Sequence, residues 1–539
     1  MSSPAARVLM IGLDAADPVL VERWAADGTL PNLARLLRGG AHGRLSSSAR
    51  YLAGSPWPTF YTSQPPSEHG IYHDFQWVHE RMQYASPGGG WLPVRPFWRE
   101  LDGLDVVAYD VPMTPGARAF RGVEITGWAS HDKLSAPDSH PRGLLADVRR
   151  RFGEWPVAPE SFGRDSVEEL LRLRDALLEN TRRSTELALW LLQRPWRLAV
   201  VAFSALHRGG HRLWDRSSIE GAVAEHDGAA FDAALRDLYV ECDRAVGRLR
   251  ESAPDAVTLA FSLHGMMPNV TRVDLLDAML ARVLQPTASN GRSTAAAARE
   301  FREPRSAPAA APSAAEAVTS QSRSLLRRAG EALPLGLRRA LTRSIPGPLR
   351  DRLVTMWATG GIDWRSTPAF TLRADLQGYV RLNLSGRERR GIVSPGSEAD
   401  ALCDRIAERL LSFRDASTDE PLVREVCSTR QLYDHGPRRD RLPDLIVRWV
   451  DTPGASHAMI RSPALGTVAR ATPGRIPGGR SGNHRDEGFL LACGPGIRAG
   501  TKLCAADIRD LAPTVVRLLG AAVGGLSGRP LPELVSGSP

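Results

Sequence analysis

Lysine is almost missing from this chain: only Lys133 and Lys502 occur among its 69 basic residues, in 539 positions. The others are arginines, spread along the chain and interleaved with 60 acidic residues. The net charge of +9 therefore reflects a general preference for arginine, not a basic face, and no nucleic-acid partner is expected. Cysteine is scarce as well. The five residues (242, 403, 427, 493 and 504) are odd in number, scattered and without CxxC spacing. That excludes a disulfide framework and fits a reducing, cytoplasmic compartment. No apolar run approaches the roughly 18 residues of a membrane span. The opening run VLMIGL (8–13) is short and ends at Asp14 without a small-residue cleavage site, so no secretory signal is expected.

What remains is an ordinary globular composition, 42% hydrophobic, ample for a core. Buried strands are predicted at 8–13, 105–112, 196–204, 256–262, 444–450 and 488–496. A helix rich in leucine is expected after Asp14, with Pro31 opening a further turn inside it. An amphipathic helix spans 231–251, and 507–520 reads as a closing helix. Strands alternating with helices predict an α/β fold with a mainly parallel sheet. Residues 286–322 are dominated by Ala, Ser, Pro and Arg and cannot bury enough apolar surface to offset ordering entropy. They divide the chain into 1–285, a low-complexity insertion (286–322), a basic helical insertion (323–350) and 351–539, with 1–285 and 351–539 as two parts of one core.

Four histidines stand out. His207 and His211 follow the apolar run 198–203 in VVAFSALHRGGHRLWD, and their four-residue spacing puts both rings on one side of a helical turn. His264 follows the run 257–263, and His484 precedes 488–493. Residues at the carboxyl ends of strands in open α/β sheets form the active site. Four histidines in such positions point to convergence on a metal; the plainer alternative is a satisfied loop histidine at 207 and a solvent-facing ring at 211.

At this point the chain resembles a known family. VLMIGLDAADPVLVERWAADGTLPNLARLL, WPTFYTSQPPSEHGIYHDF, GYVRLNLSGRERRGIVSPG and GNHRDEGFLLACGPG with DIRDLAPTVVRLLG are similar to blocks of the alkaline phosphatase superfamily, in its type I phosphodiesterase/nucleotide pyrophosphatase branch. The resemblance implies a central, mainly parallel sheet with helices on both faces and inserted cap segments. It also implies two divalent metals that flank a phosphoryl group. Carried over residue by residue, it makes Asp14, His211, His264 and His484 metal ligands.

Three positions depart from the family pattern. His207 stands where the family has an aspartate, Leu263 replaces the aspartate before His264, and Ala53 falls at the nucleophile position. Ser55, two residues on, is the substitute candidate nucleophile; Thr59 reads as structural. Losing two carboxylates matters because two unit charges 4 Å apart interact by about 4 kcal/mol at an effective dielectric near 20, and two dications by four times that. A single zinc ion on His207, His211 and His484 is therefore favoured over a pair, with Asp14 and His264 facing it; Fe, Ni or Cu would also suit imidazole. Asp14 is the candidate general base or ligand of a second metal. The expected activity is metal-dependent hydrolysis of an anionic phosphate or sulfate ester. A non-catalytic anion- or partner-binding relative, and a phospho-group transferase, are the alternatives. Lesser candidates are His69, which shapes its loop, His73 and His79 lining the pocket, and Asp17 and Asp486 supporting metal-bound imidazoles. Arg381, Asn383 and Arg387 orient an anion or simply pack.

Overall fold

The computed structural model describes residues 7–87, 95–130, 132–154, 163–285 and 362–535, with scattered positions between 352 and 360. Both expected insertions, 286–322 and 323–350, lie outside the described residues. Nine strands make the central sheet, in the order Ala506–Asp507, Ala41–Ser46, Glu487–Cys493, Val257–Ser262, Val8–Leu13, Leu198–Phe203, Val106–Tyr109, Gly122–Thr126 and Asp138–His140. Val8–Leu13 lies in the middle, parallel to Leu198–Phe203 on one side and to Val257–Ser262 on the other. Val106–Tyr109 and Gly122–Thr126 continue the parallel run. Glu487–Cys493 is antiparallel to both its neighbours. The fold is thus the expected mainly parallel α/β sheet.

The three central strands are buried along their whole length, as unbroken apolar sequences require when both faces of a sheet are covered. Alternate residues of the first strand feed two cores. Leu9, Ile11 and Leu13 pack with the helices Val167–Leu191 and Glu225–Glu251. Val8 and Met10 pack on the other face with Pro56–Thr62 and Leu511–Leu518. The helical span after Asp14 is two helices, Pro18–Ala26 and Pro31–Gly39. Asp17 caps the first by accepting from the Val19 and Leu20 amides at 3.1 and 3.0 Å. Gly28, at φ +86°, turns the chain, and Pro31 starts the second helix at a position where its missing N–H costs nothing.

The part from 351 onward does more than complete the central sheet. Ala369–Leu372, Gly378–Leu382, Leu445–Trp449 and Val423–Ser428 form a separate four-stranded antiparallel sheet. It packs with the helices Val273–Leu284 and Ser397–Leu411 around its own apolar cluster, which includes Met279, Val380, Ile406 and Phe413. The chain then returns through a short ribbon, Gly482–Arg485, paired antiparallel with Gly265–Pro268 so that His484 stands opposite Met266.

Candidate metal centre

The carboxyl ends of the three central strands deliver the site. Asp14 directly follows Val8–Leu13, and His264 lies two residues beyond Val257–Ser262. After Leu198–Phe203 the chain turns into the helix Ala205–Arg212, which carries His207 and His211 on its inner side. Two glycines let this helix pack closely: a Cβ on Gly209 would lie 2.3 Å from Leu238 Cδ1, and one on Gly210 would lie 2.7 Å from Met266 Cγ. His484 arrives on the returning ribbon. All four rings and Asp14 are buried.

The imidazoles of His207, His211 and His484 converge, each offering a ring nitrogen within 4.8 Å of the others. His207 Nε2 and His484 Nε2 are 2.9 Å apart. The opposite edge of His207 is held by Asp14, with Nδ1 to Oδ2 at 2.8 Å. His211 Nδ1 donates to the Gly482 carbonyl at 3.0 Å. With Nδ1 engaged in both rings, Nε2 faces inward, which is how metal-binding histidines are oriented. His484 Nδ1 is buried without a hydrogen-bond partner. Tetrahedral zinc ligands at 2.0–2.1 Å stand about 3.3 Å from one another; the His207–His484 pair is closer than that at 2.9 Å, and all three donors lie within 4.8 Å.

Both oxygens of Asp14 accept a hydrogen bond. Its Oδ1 accepts from Trp57 Nε1 at 2.8 Å, and the indole fits because residue 12 is glycine; a Cβ there would lie 2.8 Å from Trp57 Cη2. The carboxylate thus orients His207, with each oxygen accepting one hydrogen bond and keeping a second lone pair. His264 stands beside the trio, its ring centroid 4.4 Å from that of His484 and its Nε2 3.8 Å from Asp14 Oδ1. Burial works against a charge on His207, but the adjacent Asp14 carboxylate outweighs it and pushes the ring up to about 9. Burial, opposed by Asp14 and aided by His207, takes His264 down to about 4. Burial and then the charges of His264 and His207 hold His484 well below the usual histidine range.

Ser55 is not brought to this cluster. Its hydroxyl is 2.7 Å from the Leu52 carbonyl and 2.8 Å from Ser48 Oγ, in a separate network that runs on through Thr59 to His69. Nor does His69 activate a hydroxyl there. Its Nδ1 accepts from the Ile71 amide at 3.1 Å, so Nε2 carries the hydrogen and donates to Thr59 Oγ1 at 3.0 Å. Burial, with Arg438 nearby, takes the ring down to about 3. The expected nucleophile Ser55 thus makes no contact with the three histidines in this structure: the turn before Pro56 directs its hydroxyl to the Leu52 carbonyl.

Other candidates fall into structural roles. Arg381 is completely buried, bonded to Glu388 and to the carbonyls of Leu442 and Asp440. Asn383 holds the Trp364 and Thr367 carbonyls, and Arg387 pairs with Asp444. Asp17 pairs with Arg485 and Asp486 with Arg448, so neither supports an imidazole. His79 lies near Glu80 in the loop. His73, by contrast, sits between Asp74 and Asp375 beside the cluster. Residues with no distinctive sequence signal also shape the site: Trp57 through Asp14, and Asn483, whose Oδ1 accepts from the His484 amide at 2.9 Å while its Nδ2 donates to the Asp375 carbonyl at 2.9 Å.

The sequence profile of the family "Type I phosphodiesterase / nucleotide pyrophosphatase" matches residues 8–375. The chain belongs to that family. It is accordingly a phosphoric ester hydrolase of the phosphodiesterase/pyrophosphatase type. Similar solved structures include human ectonucleotide pyrophosphatase/phosphodiesterase 5, at 11% identity over 97% of each chain with a TM-score of 0.47. The phosphonoacetate hydrolase of Sinorhizobium meliloti 1021, in complex with phosphonoformate, is similar at 12% identity over 96% of each chain, with a TM-score of 0.46. No curated protein sequence matches significantly. Among the described residues, no helix is long and apolar enough to cross a membrane.

Proposed function

We propose that this family member hydrolyses phosphate diesters or pyrophosphate-like anions with a single zinc ion held by His207, His211 and His484. The observation that carries the reading is the convergence of three buried imidazoles whose outer edges are held by Asp14 and the Gly482 carbonyl. Bound there, zinc would act as a Lewis acid and lower the pKa of a water towards about 7. The protein's own part is orientation and charge. Asp14 fixes the His207 ring and balances the ion's charge at one remove, Trp57 fixes Asp14, and His264 closes the side of the pocket as a neutral ring. Neither Leu263 nor His207 can supply the carboxylate that a second dication would need. The five cysteines are free thiols, and a reducing compartment remains part of this reading.

The test needs no knowledge of the natural substrate. Metal content and hydrolysis of an aryl phosphodiester are measured for the wild type beside His207→Ala. About one equivalent of zinc, lost in the variant together with turnover, is expected. Two equivalents would replace the one-metal site by a bimetallic one, and full activity in metal-free protein would overturn the proposal. An alcohol acceptor in the same assay distinguishes transfer from hydrolysis.

A further inference from the structure

A phosphoryl group reaching the three histidines brings negative charge on its non-bridging oxygens. Where two dications are available they absorb that charge; here His207 and Leu263 stand at two positions where the family pattern has aspartate. Fixed positive groups aimed at such oxygens are the other means of stabilising them. Arg480 lies close enough for its charge to act on His207 and His484.

Its backbone is tied to the cluster from two sides. The next residue, Ser481, donates its amide to the His211 carbonyl at 2.9 Å, and Gly482 holds His211 Nδ1. The Arg480 carbonyl accepts from Asn269 Nδ2 at 2.9 Å. The side chain is 21% exposed and turns towards Asp375, with Nη1 3.4 Å from Oδ1. Asp375 is itself anchored: its carbonyl accepts from Asn483 next to His484, and its Oδ2 lies 3.1 Å from Nε2 of the buried His73. His73 Nδ1 is in turn 2.7 Å from Asp74 Oδ1. An arginine next to the ligand-bearing ribbon is thus backed by a chain of carboxylate, imidazole and carboxylate. A long side chain needs such support to present its planar donors in one direction.

We propose that Arg480 clamps a non-bridging oxygen of the tetrahedral anion presented to His207, His211 and His484, and that Asp375 and His73 are positioning residues acting through it. The ligand class is a phosphate or sulfate group with at least two unesterified or acidic oxygens. The inference rests on the three-histidine cluster being the site of chemistry.

The probe is inorganic phosphate, titrated calorimetrically into the full-length protein after zinc loading. Zinc content is measured in every sample. Arg480→Ala is expected to weaken phosphate binding on the order of 10–100-fold, with zinc content unchanged. Arg480→Lys should recover only part of the loss, because an ammonium cannot form the planar two-donor contact. Asp375→Asn should cost less than Arg480→Ala, and the double variant no more than Arg480→Ala alone, since Asp375 acts only through the arginine. Unchanged phosphate affinity in Arg480→Ala, or no phosphate binding by wild type, overturns the clamp. Additive losses in the double variant overturn the role of Asp375. If wild type holds no zinc or turns over no ester, the reading of the cluster fails. The clamp still stands or falls on whether Arg480→Ala weakens phosphate binding.

Discussion

Two buried polar clusters lie near each other in this molecule, and each contains histidine. In one, Ser55, Ser48, Thr59 and His69 form a closed run. The His69 nitrogens are both used, one accepting from Ile71 and the other donating to Thr59. In the other, His207, His211 and His484 turn their inner nitrogens towards one point while Asp14 and the Gly482 carbonyl hold two of the outer ones. Burial lowers the cost-free options in both, because a buried polar atom must find a partner. The first cluster meets that demand internally. The second meets it only in part: His484 Nδ1 has no partner, and two Nε2 atoms stand 2.9 Å apart. What separates a structural histidine from a candidate ligand is where its second nitrogen is used, which neither residue type nor burial reveals.

The comparison breaks most visibly at Asp14. Asp14→Ala removes the acceptor of His207 Nδ1–H, and zinc affinity should fall about 10–100-fold, read by competition with a chelator. Unchanged affinity would mean that Asp14 does not orient the ring. The next effect is on pH dependence. Burial opposes a charge on His73, but Asp375 and Asp74 push it up to about 10. A ring raised above its unfolded value near 6.5 stabilises fully below about pH 6.5. That contribution is lost as pH rises towards 10. Wild-type stability to urea should therefore decline across this window by a few kcal/mol, and His73→Asn should flatten the decline. Equal slopes would place the His73 charge elsewhere. Gly12→Ala should cost about 1–3 kcal/mol by overpacking against Trp57, measured by thermal unfolding. It should also loosen zinc, because Trp57 holds Asp14. The smallest effect belongs to the internally bonded cluster. Ser55→Ala should leave turnover within about twofold and cost about 1 kcal/mol of stability. A large loss of turnover in a folded Ser55→Ala would return this serine to the reaction.

The central strands were legible because VLMIGL, LAVVAF and VTLAFS are apolar throughout, and such runs have a place only in a sheet covered on both faces. His207 and His211 were legible from helical spacing after a strand, and His484 from family-like surroundings. The smaller sheet was harder to see: its strands alternate less clearly and are joined across long separations, as between Gly378–Leu382 and Leu445–Trp449. Arg381, Asn383 and Arg387 looked as suitable for an anion as Arg480 does. Nothing in a chain of so many arginines marks the one that lies beside the cluster.

Sequence alone thus determined the fold class, the family, the four histidines and the loss of two family carboxylates, because strand burial and strand-end position are local properties of the chain. The tertiary structure decided that Asp14 serves His207 and that Ser55 is spent on Leu52. It also brought Arg480, Asp375 and His73 together beside the site. Those outcomes depend on which atom faces which across separations of up to several hundred residues, and hydrogen-bond direction at such contacts is set only when the sheet, the helix Ala205–Arg212 and the returning ribbon have packed.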